Sequence, residues 1–329
     1  MNKIQRRQFV IAGSALLTAP LASAQAAYPS KPIRIVVGYP PGGAVDTVAR
    51  LIGEHMARLC GQPVTVDNRP GAGGIIGAAA VAKSPADGYT LLFGLQYPLV
   101  NAQAMVKTLP YDPNKDFAFV TTLLTGAMLL CVHKSVPATN LAQLVEYARR
   151  TPDFAIGSWA QGSQGHLAIE AINKRYGLNI THVVYKGEPQ VTQDLMGGQI
   201  PGGFGSLTTM AGPIKAGHIR PIAATSGPRG GRFSLLSEFA TFAEQGLNEA
   251  AVTLSGWGGV LAPSGTPPAV IAKLNEWIHA ALAQPDIRSK LGNLGLEALT
   301  MTPAEFEARF RAETPLWIKA IQDAGVKPE

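Results

Sequence analysis

Across 329 residues the chain is 46% hydrophobic and 15% charged, which is enough apolar material for sizeable cores and excludes a disordered protein. The formal net charge is +6, and Lys3, Arg6 and Arg7 supply three of those charges in an N-terminal stretch that holds no acid. The remaining +3 is too weak and too dispersed for a nucleic-acid binder, and the length suggests two domains.

Residues 1–26 read as an export signal. Arg6-Arg7-Gln8-Phe9-Val10 precedes an apolar stretch that runs to Leu21, and small-x-small cleavage sites follow at Ala24 and Ala26. The paired arginines fit a twin-arginine signal, and a general secretory signal containing two arginines is the alternative. Either route makes the mature chain extracytoplasmic. No later run is long and apolar enough to span a bilayer. Cys60 and Cys131 are left either as a disulfide or as two buried thiols.

The first informative stretch is 33–61. Ile33 to Val37 reads as a buried strand. Val45, Val48, Ile52, Met56 and Leu59 then recur at helical spacing, and Gly61 stands where that helix would end. Between them Gly38-Tyr39-Pro40-Pro41-Gly42-Gly43 forms a turn that leaves the helix N-terminus uncovered. Unpaired N–H groups and the partial positive charge there suit a carboxylate, although an ordinary strand-to-helix loop has the same pattern. The rhythm repeats. A strand at 64–66 leads into the glycine-rich turn 67–74 and a short helix at 76–83, and another strand covers 90–93. This predicts a parallel sheet covered by helices, with ligands beyond the strand ends at 38–43, 68–74 and 94–98.

A second α/β unit follows. Strands are expected at 128–132, 155–158, 182–185, 203–204 and 219–224, with helices at 141–150, 166–176, 189–196 and 208–216. A long apolar strand near 253–261 returns the chain to the first unit. Three helices at 268–283, 286–294 and 303–324 close it, the last opened by Thr302-Pro303 with Glu305 in its first turn. They carry no strands of their own. The chain is expected to cross between units near 121–127 and 250–256. This divides it into lobe 1 (27–123 plus 254–329) and lobe 2 (124–253).

Enzyme signatures fail in turn. There is no Gly-x-Ser-x-Gly elbow, no third glycine after Gly71-x-Gly73, no phosphate loop and no paired histidine spacing for a metal. No catalytic residue, metal site or cofactor is assigned, and the His166/Glu170 pair reads as a structural contact.

Several motifs together resemble a known family. Tyr28-Pro-Ser-Lys-Pro-Ile-Arg-Ile-Val-Val, Pro40-Pro-Gly-Gly-Ala-Val-Asp46, Asn68-Arg-Pro-Gly-Ala-Gly-Gly74 and Asp87-Gly-Tyr-Thr-Leu-Leu92 are similar to the start of Bug-type receptors. Leu109-Pro-Tyr-Asp-Pro113, Tyr185-Lys186-Gly187, Leu195-Met-Gly-Gly-Gln199 and Ile214-Lys-Ala-Gly217 continue the likeness over nearly the whole mature chain. These receptors are the periplasmic solute-binding proteins of tripartite tricarboxylate transporters.

The resemblance implies an α/β fold of two doubly wound lobes of periplasmic-binding-protein type joined by a two-strand hinge. It also implies a monomeric receptor that closes on a small carboxylate and delivers it to a two-subunit membrane permease. The ligand contacts it implies are Tyr39, Gly42, Gly43, Ala44, Asp46 and Tyr97 in lobe 1, and Ser158, Trp159, Ser163 and Gly205 in lobe 2. Each also has an ordinary role: Asp46 as a helix-terminus acid, the tyrosines as cover for the sheet edge, Trp159 in the core, and the serines as caps. Gly205 stands where the family often has Asp, which argues against an amino-acid ligand. Trp159, Tyr39 and Tyr97 instead suggest a frame for an aromatic ring. An exported enzyme or a sensor subunit using the same cleft are the competing classes.

Overall fold

The computed structural model describes residues 28–227 and 231–327. The expected export signal lies outside the described residues. Ile33–Val37 forms β1, and its register with the neighbouring strands is parallel. The chain then turns through Gly38–Gly43 into α1 (Ala44–Cys60), which buries Val48, Ala49, Ile52 and Met56 along one face. Gly61 ends the helix with φ 68°, the left-handed conformation that glycine adopts without steric cost. β2 (Val64–Asn68), α2 (Ile75–Ala82) and β3 (Thr90–Leu95) repeat the unit. A π-helical turn at Tyr97–Asn101 then runs into α3 (Ala102–Met105).

β4 (Phe117–Gly126) is a ten-residue strand, and after Ala127 the chain continues as β5 (Met128–His133) in a second sheet. That sheet is built from β5, α4 (Leu141–Arg150), β6 (Ala155–Trp159), α5 (Gln164–Tyr176), β7 (Thr181–Tyr185), α6 (Glu188–Met196), β8 (Gly202–Ser206), α7 (Leu207–Lys215) and β9 (Ile219–Ala224). The return passes through α8 (Ala250–Thr253) into β10 (Gly256–Pro263). It continues through α9 (Pro268–Leu282), α10 (Pro285–Asn293), β11 (Leu296–Ala298) and α11 (Pro303–Asp323). The first sheet has the order β11-β4-β10-β3-β1-β2 and the second β7-β6-β8-β5-β9.

The sheets are mixed rather than parallel. β10 runs antiparallel between β3 and β4, and β5 runs antiparallel to both β8 and β9. A chain that leaves one lobe and re-enters it from the other side has its direction set by the crossing, so the strand that carries it reverses. The closing segment also holds a strand that periodicity does not predict, β11, whose three residues pair with the end of β4.

Each sheet has an apolar cluster on both faces. The clusters around α1 and α9, and around α11, cover the first sheet. Those around α4 and α5, and around α6 and α7, cover the second. Asn140 caps α4 by accepting the Gln143 N–H, and Thr302 with Glu305 forms a capping box on α11. Both cysteines are free thiols, with Cys131 fully buried in β5. Among the described residues no helix is long and apolar enough to cross a membrane, and no cluster of His, Cys, Asp and Glu has the arrangement of a metal site.

Candidate ligand-binding cleft

A cavity of about 230 Å³ opens between the two sheets. Lobe 1 contributes Ala44 and Val45 from the first turn of α1, and Gln96, Tyr97 and Asn101 from the segment after β3. Lobe 2 contributes Trp159 at the end of β6, Ser163 and Gln164 at the start of α5, Glu188 at the start of α6, and Ser206 and Thr208 at the start of α7. Leu95, Leu124, Met128, Trp257 and Leu296 complete an apolar wall. The cavity thus lies beyond strand ends, where α/β sheets bind ligands, and four helix N-termini meet it. None of its lining residues is Lys, Arg or His, and its single formal charge is the Glu188 carboxylate.

Four of the sequence-predicted site residues line this cavity: Ala44, Tyr97, Trp159 and Ser163. Ser163 also caps α5, accepting the His166 N–H at 3.3 Å. The other six, Tyr39, Gly42, Gly43, Asp46, Ser158 and Gly205, are not among the cavity's lining residues. Asp46 is buried and committed within its own lobe. It accepts the Gly42 N–H at 2.9 Å, the Asn68 side-chain amide at 2.9 Å and the Arg50 guanidinium. Burial alone would raise its pKa, but the hydrogen bonds from Arg50, Gly42 and Asn68 and the Arg50 charge hold the carboxyl below its usual value. The Gly42 amide is therefore aimed at Asp46, and Gly43 serves as the N-cap position of α1. Asn68 also donates to the Tyr39 carbonyl, so one network fixes the whole turn.

Tyr39 donates its hydroxyl to the Gly73 carbonyl at 3.1 Å. The Tyr97 ring packs on the same glycine turn, so closely that a Cβ on Gly73 would lie 2.5 Å from Tyr97 Cε1. The glycine-rich stretch 68–74 thus seats two aromatic rings. Ser158 is fully buried, 2.7 Å from His182 Nε2 and 3.1 Å from Ser163 Oγ. His182 stacks on His166, and burial lowers their pKa values to about 3 and about 4, so both are neutral at pH 7. A Cβ at Gly205 would lie 2.6 Å from Met210 Cε, so a side chain there needs the end of the Met210 side chain on α7 to move.

The sequence reading missed Gln96, Asn101, Gln164, Glu188, Ser206 and Thr208. Glu188 had a usable signal. Tyr185-Lys186-Gly187-Glu188-Pro189 is a strand end followed by a helix start, the same pattern that drew attention to 38–46. The argument against an amino-acid ligand rested on the absence of an anion at Gly205, and Glu188 brings an anion into the cavity from another helix. Asn101 gave no signal, because it lies on a π-helical turn that periodicity does not reveal, whereas Gln96 falls within the strand end 94–98 without having been named.

Two mixed α/β lobes around such a cleft define a solute-binding receptor. Residues 48–325 match the tripartite tricarboxylate transporter family receptor profile. The chain is 32% identical over 325 residues to the protein BugT of Bordetella pertussis, covering 98% of each. Among solved structures it is similar to Rpa4515 of R. palustris with adipate, at 35% identity and TM-score 0.82 over 92% of this chain and 100% of that one. It is also similar to MatC from Rhodopseudomonas palustris with bound malate, at 28% identity and TM-score 0.77 over 89% and 100%. The chain belongs to the tripartite tricarboxylate transporter receptor family, whose members are receptors rather than enzymes.

Proposed function

We propose that this chain is a periplasmic receptor that captures a small carboxylate between its lobes and delivers it to a two-subunit permease of the tripartite tricarboxylate type. The observation that carries the reading is the cleft itself: helix N-termini from both lobes face a cavity that has no cationic side chain. In such a cleft main-chain N–H groups and neutral side-chain donors such as Ser163 and Gln164 are left to hold an anion. The carboxylate belongs at the first turn of α1, on the amides of Ala44 and Val45, with Ser163 and Gln164 closing from the opposite lobe. The body of the ligand lies against Trp159, Tyr97 and the apolar wall, which favours a ring or an extended hydrocarbon. Adipate with Rpa4515 and malate with MatC make the carboxylate the shared chemistry.

Magnitudes support a clamshell. One helix terminus contributes roughly 0.3–1 kcal/mol towards holding an anion, or about 2 kcal/mol when partly buried. Micromolar binding needs about 8 kcal/mol. The remainder comes from closure, which excludes water and strengthens each hydrogen bond. Calorimetry with a panel of aromatic and aliphatic acids, together with mass spectrometry of ligand carried through purification, tests the reading. A carboxylate binding one to one is expected, and uptake of that acid should stop when the chain is deleted. Capture of linear amino acids with no binding of aromatic acids would overturn the ring-bearing ligand. Conversion of the acid to product would overturn the receptor.

A further inference from the structure

The acid inside the cleft is placed where an anionic ligand would otherwise bind. Glu188 begins α6, yet its Oε2 reaches the N-terminus of α7. It accepts the Ser206 N–H at 2.9 Å, the Ser206 hydroxyl at 2.6 Å and the Thr209 hydroxyl at 3.3 Å. Those donors are therefore occupied by the protein's own carboxylate. Among the described residues no hydrogen bond reaches Oε1, and no Lys, Arg or His pairs with Glu188. Glu188 is among the residues that line the cavity, and the others are uncharged.

We propose that Glu188 sets the charge class of the ligand. The cleft takes a monocarboxylate whose far end carries a hydrogen-bond donor, a hydroxyl or an ammonium group, and it turns away a second carboxylate. This rests on the receptor reading above and adds polarity to it. The helix termini of α1 and α5 hold the ligand's acid, and Glu188 meets its other end. A donor there completes the vacant capacity of Oε1. A carboxylate there meets a like charge in a site with no cation to offset it. A glutamate in the first turn of α6 also stabilises that helix, but this local role accounts for neither the bonds to α7 nor any preference among ligands.

The test compares acids that differ only at the far end. Adipate, 6-hydroxyhexanoate and 6-aminohexanoate form one series. Terephthalate, 4-(hydroxymethyl)benzoate and 4-(aminomethyl)benzoate form the aromatic counterpart. Each is titrated calorimetrically into the intact mature protein and into Glu188→Gln, which keeps an oxygen acceptor for Ser206, and melting temperature reports the fold of the variant. In the native protein the hydroxy or amino acid of at least one series should bind ten-fold or more tighter than its dicarboxylate, and Glu188→Gln should shrink that ratio at least ten-fold. Dicarboxylates that bind as tightly as their partners in both series, or a ratio unmoved by the substitution, overturn the role of Glu188 and leave the receptor standing. Failure of every acid in both proteins overturns the carboxylate reading, and this proposal with it.

Discussion

At the scale of single residues, Asp46 shows how a polar group near a ligand cleft acts without facing it. Its carboxylate ties the Gly42 amide, the Asn68 amide and the Arg50 guanidinium together, and the tie fixes the turn that leads into α1. Asp46→Ala should lower the free energy of unfolding by about 1–3 kcal/mol, the range for leaving buried hydrogen-bonding groups without a partner. Asp46→Asn should cost less than Asp46→Ala, because it keeps one of the two acceptor oxygens, although its NH2 then faces a donor and the charge towards a half-exposed Arg50 is lost. Urea denaturation checks both, and equal losses would show that the charge rather than the hydrogen bonds matters. Gly73 acts similarly. With φ 63° and the Tyr97 ring against it, Gly73→Ala strains the backbone and displaces the ring. Ligand affinity should fall several-fold in that variant, while Gly217→Ala, at φ 72° with open space around it, should leave affinity unchanged.

At the scale of elements, the start of α5 joins the cleft to a pair of histidines. His166 and His182 stack with ring centroids 4.0 Å apart, and His182 holds Ser158 beside the capping Ser163. Burial lowers both pKa values, to about 4 and about 3, with His166 adding to the effect at His182. In the unfolded chain both titrate near 6.5. Between these limits the unfolded state binds more protons, so stability is lost as pH falls from about 6.5 towards 4. Glu170, 3.8 Å from His166, has its pKa raised by burial and so opposes the loss at the acid end of that range. The melting temperature should drop from pH 7 to pH 5, and the drop should be smaller in His182→Gln; a flat profile in the native protein would contradict the assignment. The helices were largely legible in the sequence. α1 and α4 declare themselves by apolar spacing, and α11 by its capping box. β11 did not, because a three-residue strand has no period to read and exists only by pairing with β4.

At the scale of the molecule, the two-lobed α/β architecture was legible, but strand direction was not. The antiparallel course of β10 follows from the path of the returning chain, which no local pattern encodes. The cleft was read in part for the same reason. Ala44, Trp159 and Ser163 on strand-to-helix turns could be placed, Gln164, Glu188, Ser206 and Thr208 on similar turns were passed over, and residues whose role is a bond across the gap gave no local pattern. Asn101 is one of these. It is 3% exposed, donates to the Gly162 carbonyl of the other lobe at 3.1 Å, and accepts from the Gln96 amide at 3.1 Å. Tyr97 reaches the neighbouring Gln161 carbonyl at 3.3 Å, and Thr208 reaches the Leu294 carbonyl from the opposite side. These bonds join the lobes in the structure, and under the clamshell closure proposed above any ligand that needs closure gains from them. Asn101→Ala removes both bonds, leaving the Gly162 carbonyl and the Gln96 amide without this partner, and only the bond to Gly162 joins the lobes. The dissociation constant should rise about ten-fold, equivalent to about 1.4 kcal/mol. Most of the change should appear as faster release, because the open form that meets ligand lacks the bond already. Stopped-flow release from the native and substituted proteins measures this directly. A slower association at unchanged release would mean that Asn101 shapes the open lobe instead of holding the closed pair.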